Sequence, residues 1–451
     1  GKLEDVSVRA SRDLTPGFER DFVVRSPSFF TSELYVRQGG RMVKIDKPDD
    51  AEASPWREWL LVQLRSDWTV GGRTWPAGAL LAARFDDFIA GKREFRMLFE
   101  PSERRSLAGF SPMRHAIVLN ELDEVKSRLY LAREQGGQWS RESFAGLPDI
   151  GSVDAAAVDP YDSDEFWVRV ADYLTPDRLL LARPGAAPEP LKQSPSFFDA
   201  SQATVSQHWA ISRDKTRVPY FEVAPRNARP DGSTPTLLYG YGGFEVSETP
   251  YYGGPNGAAW IEQGGVFVDA NIRGGGEFGP NWHRAALKAN RPRAYEDFIA
   301  VAEDLVRRKI TSPAHLACWG GSNGGLLVGN MLTRRPDLFG AIVCRAPLLD
   351  MKRYSHLLAG ASWMEEYGNP DLPAEWAFIE GFSPYQNVRK GVKYPRTLFT
   401  SSTRDDRVHP AHARKMVARM VEQGHDVLYY ENVEGGHGGS ANNTQEAFML
   451  A

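Results

Sequence analysis

Apolar and polar residues alternate over short distances in roughly the first 205 residues, a pattern typical of β-strands with one buried face. Turn-forming pairs such as Gly71-Gly72 separate these segments, and the one helical pattern, Phe85–Gly91, is brief. Strands are predicted at Arg20–Arg25, Glu33–Arg37, Glu58–Leu64, Ala79–Phe85, His115–Leu119, Arg128–Arg133, Glu165–Val170 and Arg178–Ala182. This pattern favours a sandwich, barrel or propeller, and at about 40–50 residues per blade it would form four to five propeller blades.

From about residue 206 the pattern changes, because short apolar segments now alternate with longer helical ones. Strands are predicted at Thr236–Tyr239, Val266–Asn271, Leu316–Trp319, Ala341–Cys344, Arg396–Thr400 and Val427–Glu431. Helices are predicted between them, at Ala294–Arg308, Gly324–Arg335 and Pro410–Gln423. This alternation indicates a self-contained α/β domain with a mostly parallel, doubly wound sheet.

Composition excludes several function classes. The 451 residues carry 54 Lys and Arg against 58 Asp and Glu, a net charge of −4, which leaves no basic footprint for nucleic acid or for a membrane surface. No apolar run approaches the roughly 18 residues of a membrane helix. Two cysteines, Cys318 and Cys344, cannot form a disulfide framework and are expected to be reduced and buried. A cytoplasmic location is expected, with the periplasm or secretion left open if a signal lies in a missing N-terminus.

The strongest chemical signal is Gly320-Gly321-Ser322-Asn323-Gly324, which follows a predicted strand and opens a predicted helix. This G-x-S-x-G arrangement places a serine on a sharp turn above the sheet, where small neighbours avoid clashes. The start of the helix can help to stabilise an oxyanion. The competing interpretation, a glycine-rich turn of a nucleotide site, would require a different fingerprint after the first strand.

A serine nucleophile needs a base and an acid, which this fold supplies in the order Ser, acid, His. Asp405 and Asp406 follow one predicted strand, and His437 follows the next, between two pairs of glycines. Asp350 is an alternative acid. His409 and His412 are expected to be surface or capping residues. Two further glycine-rich segments, Tyr239–Phe244 and Asn271–Glu277, also follow strands, and the first can supply an oxyanion donor beside the Asn323 N–H.

Together these residues resemble the prolyl oligopeptidase family of serine peptidases over roughly residues 196–451. The motifs that carry the resemblance are Tyr239–Phe244, Asn271–Gly279, Gly320–Gly325, Arg335–Gly340, Asp405–Val408 and Gly436–Gly438. The resemblance implies an α/β-hydrolase catalytic domain capped by a seven-bladed β-propeller that limits access to short peptides. The expected division is a partial propeller of about four blades over residues 1–200 and the peptidase domain over residues 201–451.

The resemblance also implies roles for individual residues. The catalytic residues would be Ser322 as nucleophile, His437 as base and acid, and Asp405 as orienting acid. The oxyanion donors would be the Tyr241 hydroxyl and the Asn323 N–H. Arg407 would bind a substrate carbonyl, and an uncharged proline pocket would comprise Trp363, Tyr367, Phe244, Leu348 and Val408, where the Trp363 indole can stack on a pyrrolidine ring.

Two departures from the family pattern matter. Seven blades would need about 315 residues, so the first half is too short and the propeller is expected to be N-terminally incomplete. The chain also stops at Phe448–Ala451, inside the expected final helix. Glu365 and Glu366 lie between the pocket aromatics, where a carboxylate could admit a basic residue at the cut.

The leading hypothesis is a monomeric serine endopeptidase that cuts short proline-containing peptides after proline through an acyl-enzyme. An oligopeptidase B-like enzyme with a different preference at the cut, an esterase or lipase, and a non-catalytic binding scaffold are the alternatives. No cofactor and no metal site are expected, since the H-E-x-x-H register of zinc peptidases is absent from the sequence.

Overall fold

The computed structural model describes residues 1–450, which form two compact units. The first unit comprises residues 1–172, 177–194 and 277–281, and the second comprises residues 173–176, 195–276 and, among the described residues, 282–450. The sequence predicts one boundary after residue 200, whereas the main boundary between the units lies between residues 194 and 195. In addition, residues 173–176 belong to the second unit and residues 277–281 to the first.

The first unit is built from four antiparallel sheets of four strands each, with a two-stranded ribbon inserted in the second. The first two sheets and the ribbon contain β1 Ser7–Asp13, β2 Arg20–Ser26, β3 Glu33–Gln38, β4 Arg41–Lys44, β5 Glu52–Trp56, β6 Trp59–Gln63, β7 Trp68–Val70, β8 Arg73–Trp75, β9 Leu80–Arg84 and β10 Arg96–Phe99. The last two sheets contain β11 Arg105–Pro112, β12 Ala116–Asp123, β13 Lys126–Gln135, β14 Gln138–Ser143, β15 Ser152–Ala157, β16 Phe166–Ala171, β17 Arg178–Ala182 and β18 Glu189–Gln193.

Strand formation in this unit follows the alternation of the sequence. In β16, Phe166, Val168 and Val170 are buried, whereas Trp167 and Arg169 between them are exposed. Each predicted strand is confirmed within a few residues at its ends. The brief helical segment is α1, Phe85–Ile89, which buries Phe85 and Phe88 in the core of the second sheet.

The second unit is organised around one eight-stranded sheet of order β19-β20-β22-β21-β23-β24-β25-β26. Its strands are β19 Ala203–Ile211, β20 Arg217–Pro225, β21 Thr236–Gly240, β22 Val266–Ala270, β23 Leu316–Gly321, β24 Ala341–Arg345, β25 Arg396–Ser402 and β26 Val427–Asn432. Strands β21 to β26 run parallel, and β19 and β20 continue the sheet antiparallel beside β22. The six predicted strands are confirmed, and β19 and β20 were missed.

Helices pack on this sheet and connect its strands. The α-helices after α1 are α2 Gly254–Asn256, α3 Pro280–Arg284, α4 Pro292–Arg307, α5 Asn323–Arg334, α6 Met364–Tyr367, α7 Pro373–Ile379, α8 Pro384–Asn387, α9 Ala411–Glu422 and α10 Asn443–Leu450. The stripe expected on α4 is confirmed, because Phe298, Val301 and Leu305 are fully buried. None of the described helices is long and apolar enough to cross a membrane.

Parallel strands place their carboxyl ends at one edge of the sheet, where open α/β folds bind ligands. The loops after β21, β22, β23, β25 and β26 therefore gather there. Cys318 and Cys344 lie below this edge on neighbouring strands β23 and β24, both fully buried and unpaired, which confirms the expectation for the two thiols.

Candidate active site

Ser322 occupies the sharp turn between β23 and α5 in a strained backbone conformation, with φ 58° and ψ −116°. Gly320 must lack a side chain, since a Cβ there would lie 2.3 Å from the Gly324 carbonyl oxygen. The Ser322 N–H donates to the Arg345 carbonyl at 3.0 Å, which fixes the turn to the next strand. Asn323 begins α5, so its N–H belongs to the first helical turn and has no partner within the helix.

His437 and Asp405 meet at the end of β25 and β26. The His437 Nδ1 lies 2.9 Å and 2.8 Å from the two carboxylate oxygens of Asp405. Asp405 also accepts the N–H groups of Arg407 and Val408, both at 2.9 Å. Burial favours the neutral acid, yet the bonds from His437 and the two amides outweigh it and lower the pKa of Asp405. Asp405 is therefore a carboxylate that orients the His437 ring.

The loop that carries His437 is shaped by a buried asparagine that the sequence did not single out. The Asn432 Oδ1 accepts the N–H groups of Glu434 and Gly435, at 2.9 Å and 3.2 Å. Its Nδ2 donates to the Gly439 carbonyl at 2.8 Å, so one carboxamide ties both ends of the loop. These bonds present His437 with only 11% of its side chain exposed.

Ser322, His437 and Tyr241 line the same cavity, which has a volume of about 370 Å³. Its other lining residues come from the ends of β21, β23, β24 and β25 and from the loop and helix after β26: Tyr239, Trp319, Gly321, Arg345, Ala346, Thr400, Ser401, Gly438, Gly439 and Glu446. A serine, a carboxylate-oriented imidazole and a phenol hydroxyl therefore share one space, the set of groups that acyl transfer requires.

Tyr241 is held by the side chain of Asn323, the residue after the nucleophile. The Asn323 Nδ2 donates to the Tyr241 carbonyl at 2.7 Å, and Gly243 must be glycine because a Cβ there would lie 2.5 Å from that Nδ2. Burial, reinforced by the Glu248 carboxylate, raises the pKa of Tyr241, so its hydroxyl stays protonated and can donate. Asn323 thus links both expected oxyanion donors.

The second glycine-rich loop braces the first. Glu245 N–H donates to the Gly274 carbonyl at 3.1 Å, and Gly276 N–H donates to the Val246 carbonyl at 3.2 Å. The adjoining Arg273 is buried in a salt bridge with Asp297 at 2.6 Å. The glycines of Asn271–Glu277 therefore permit close backbone packing behind the loop that carries Tyr241.

The five residues expected to form the proline pocket all belong to the hydrophobic core of the second unit or pack against it. Phe244 and Tyr367 pack edge to face with ring centres 5.6 Å apart, and the Tyr367 hydroxyl donates to the Asn323 Oδ1 at 2.7 Å. Leu348 and Val408 are buried in the same core, and Trp363 packs against it partly buried. Of these five residues, Tyr367 and Phe244 thus contact each other, and Tyr367 also contacts Asn323.

Arg407 and Asp406 are exposed beside the buried Asp405. The Arg407 charge lies near enough to Tyr241 to oppose the burial that raises the pKa of the phenol.

The alternative acid and histidines have other partners. The buried Asp350 carboxylate forms a salt bridge with Lys415. It also accepts a hydrogen bond from Gln386 at 2.8 Å and lies 3.2 Å from Arg353. His412 is buried, which corrects the expectation of a surface position, and its Nδ1 accepts the N–H groups of Leu349 and Asp350. Burial lowers the pKa of His412 to about 4. His409 accepts the Ala411 N–H at 3.0 Å, as a capping residue does.

Glu366 belongs to a fully buried network rather than to an open pocket wall. Its carboxylate accepts from Arg291 at 2.9 Å and from the Phe244 N–H at 3.1 Å, and it lies 2.7 Å from His283 Nε2. Arg291 also donates to the Asn323 Oδ1 at 2.7 Å. Because this buried carboxylate already bonds to three groups of the protein, Glu366 is not positioned to receive a basic substrate side chain.

Removing Arg291 should destabilise the protein strongly. In Arg291→Met, the buried Glu366 loses its cation, and breaking a buried pair in this way costs about 3–5 kcal/mol. The midpoint of urea unfolding should fall accordingly. The double variant Arg291→Met/Glu366→Gln should recover part of the loss, since no uncompensated charge remains.

The control for this prediction is Arg335→Met, which removes an exposed pair with Asp337 and Glu303 and should cost about 1 kcal/mol or less. Equal shifts of the urea midpoint for Arg291→Met and Arg335→Met would contradict the assignment of the buried network.

Several residues of this site escaped the sequence analysis. Arg291 and His283 lie in a polar stretch without periodicity, and the Asn323 side chain was overlooked beside its backbone N–H. Arg345 follows a predicted strand next to the nucleophile turn, and its position at a strand end was a usable signal. Asn432, at the end of β26, carried the same signal.

Known proteins resemble this chain in sequence and in structure. The sequence profile of the prolyl oligopeptidase family matches residues 255–450. An uncharacterized peptidase, y4nA, of Sinorhizobium fredii is 42% identical over 462 aligned positions, which cover 100% of this chain and 63% of that protein. A prolyl endopeptidase of Elizabethkingia miricola is 35% identical over 290 positions, covering 63% of this chain and 41% of that protein.

Solved structures extend the comparison to both units. A post-proline cleaving enzyme from Rickettsia typhi superposes with a TM-score of 0.92 at 32% identity, covering 100% of this chain and 67% of that one. The chain spans 63% and 59% of the length of two curated relatives that it matches along nearly its whole length.

Proposed function

Because the chain belongs to the prolyl oligopeptidase family of serine peptidases, we propose that it hydrolyses short peptides on the C-terminal side of proline through an acyl-enzyme. Two observations carry the proposal: His437 bonds to the buried Asp405, and His437 and Ser322 line the same cavity. The second unit would be the α/β-hydrolase domain. The four four-stranded sheets of the first unit support its assignment as part of a β-propeller.

In the proposed reaction, the Ser322 Oγ attacks the carbonyl carbon of the scissile bond while its proton passes to His437 Nε2. The oxyanion forms against the Tyr241 hydroxyl and the Asn323 N–H. His437 then gives its proton to the leaving amine, the C–N bond breaks, and the acyl group stays on Ser322. Water, activated by His437 in the same way, hydrolyses the ester and restores the enzyme.

Proline preference rests on the uncharged character of the aromatic cluster around Trp363. The partly buried Phe244 and Trp363 present ring surface for a pyrrolidine, and the buried Tyr367, Leu348 and Val408 belong to the apolar core against which these two rings pack. The buried pairing of Glu366 with Arg291 supports this preference, because it removes a carboxylate that could attract lysine or arginine.

The second candidate is an oligopeptidase B-like enzyme that cuts after Arg or Lys. The observation that favours it is Glu365, a partly exposed carboxylate between Trp363 and Tyr367 in the sequence. Values of kcat/KM for matched reporter peptides with Pro or Arg before the cut separate the two. We expect the Pro reporter to be favoured by about a hundredfold or more, since a cationic side chain in an apolar pocket would lose its hydration without a partner. A preference for Arg would reject proline specificity while leaving serine chemistry intact.

A non-catalytic scaffold is tested separately with a fluorophosphonate probe. Mass spectrometry should locate the adduct on Ser322 in the native protein, because the probe requires a serine activated by its histidine. Absence of an adduct in folded protein would reject the peptidase assignment as a whole.

A further inference from the structure

The cavity beside the nucleophile holds a cation that the proposed reaction leaves unused. Arg345 ends β24 directly beside Gly321, and its carbonyl accepts the Ser322 N–H. Arg345 lines the cavity with Ser322 and His437, and its side chain is 20% exposed. A Cβ at Gly439 would lie 3.6 Å from its terminal nitrogen, so the guanidinium lies against the loop that carries His437.

This cavity lies on the leaving-group side of the nucleophile. None of the five residues expected to hold the proline ring lines it, whereas His437, Gly438 and Gly439 do. His437 must reach the leaving amine to protonate it, so the segment after the cut lies beside this loop. At about 370 Å³ the cavity is near the lower end of ligand pockets and suits a short segment.

The Arg345 guanidinium has more N–H donors than its described contacts use. Its described ion pair is with Glu446 of α10, a single contact at 3.3 Å through one terminal nitrogen, and its centre lies 5.9 Å from the Trp319 ring. A guanidinium carries five N–H donors in a fork that matches a carboxylate. Arg273 in the same unit binds two carboxylates at once, Asp214 at 2.5 Å and Asp297 at 2.6 Å.

We propose that Arg345 binds the free α-carboxylate of a short leaving peptide, so that the enzyme favours bonds close to the C-terminus of its substrates. This inference rests on the proposed peptidase function and adds a leaving-group requirement to it. Glu446 holds the guanidinium in place and, as a carboxylate itself, partly offsets the charge that an incoming carboxylate would bind.

The test compares acetyl-Ala-Ala-Pro-Ala-Gly as the free acid with the same peptide as the C-terminal amide. Wild type should show a kcat/KM about tenfold higher for the acid, the value of one charge-assisted contact in a partly exposed site. The acid-to-amide ratio should fall to about 1 in Arg345→Gln and rise above the wild-type value in Glu446→Gln. Arg407→Gln is the matched control, because it should lower both rates and preserve the ratio.

Two outcomes would overturn the inference: a wild-type ratio near 1, or an equal loss for both peptides in Arg345→Gln, which would make Arg345 an anchor for α10 only. Should neither peptide be cleaved, the peptidase proposal fails first, and calorimetry with Ala-Gly acid and Ala-Gly amide decides the binding question. Tighter binding of the acid by about tenfold, lost in Arg345→Gln, would support the site, and equal affinities would reject it.

Discussion

Replacing Ser322 with alanine is expected to lower kcat for a proline reporter by about a million-fold, the loss found when a serine peptidase loses its nucleophile. The acyl-enzyme at Ser322 cannot form without its Oγ. Initial rates of reporter cleavage and the mass of the fluorophosphonate adduct measure the effect. A residual rate within tenfold of wild type would show that another residue performs the attack.

The backbone of Ser322 provides an independent control for folding in this experiment. At φ 58° and ψ −116° a side chain is strained, and alanine bears the same strain as serine. Ser322→Ala should therefore unfold at the wild-type urea concentration. Ser322→Gly should be equally inactive but more stable by about 1 kcal/mol, because glycine adopts this conformation freely. Inactivity accompanied by a large loss of stability in Ser322→Ala would point to misfolding instead of a lost nucleophile.

Replacing Asp405 with asparagine should lower kcat by about ten-thousandfold with little change in stability. The asparagine oxygen can still accept the N–H groups of Arg407 and Val408, which bond to Asp405 Oδ1. The amide then turns an N–H toward His437 Nδ1, which must act as acceptor and so carries its proton on Nε2. In that tautomer the ring cannot take the proton of Ser322.

Asp350→Asn is the matched control for the acid. Asp350 pairs with Lys415 and Arg353, and its replacement should cost stability while kcat stays within about tenfold of wild type. Steady-state rates and urea midpoints for both variants make the comparison. If Asp350→Asn lost more activity than Asp405→Asn, the acid would be misassigned.

Periodicity in the sequence predicted much of the fold because burial repeats every two residues in these strands and near every 3.6 in the helices. Thus β16 and α4 were predictable from Phe166–Val170 and Phe298–Leu305 alone. Strand β19 was missed because it carries Ser206, Gln207 and His208 in succession, all partly exposed, so that no buried face is marked. Its place in the sheet comes from pairing with β20, a contact that local sequence does not encode.

Motifs predicted the candidate catalytic residues because the turn, the strand ends and the chain order all constrain the same positions. The bond from His437 to Asp405 in place of Asp406 then follows from which carboxylate is buried. The support around them was not predictable in the same way. Arg291 and Glu366 are 75 positions apart in the chain, and only folding brings these charges together out of water.

The two buried thiols, Cys318 and Cys344, allow local unfolding of the central sheet to be measured by their chemical modification. Cys318 and Cys344 flank the nucleophile turn from inside the sheet, and burial raises the pKa of both, so neither forms the thiolate that alkylating reagents attack. Alkylation must then wait for strands β23 and β24 to separate. The rate at which iodoacetamide modifies these two cysteines, followed by peptide mass mapping, would therefore measure how often strands β23 and β24 separate beneath Ser322.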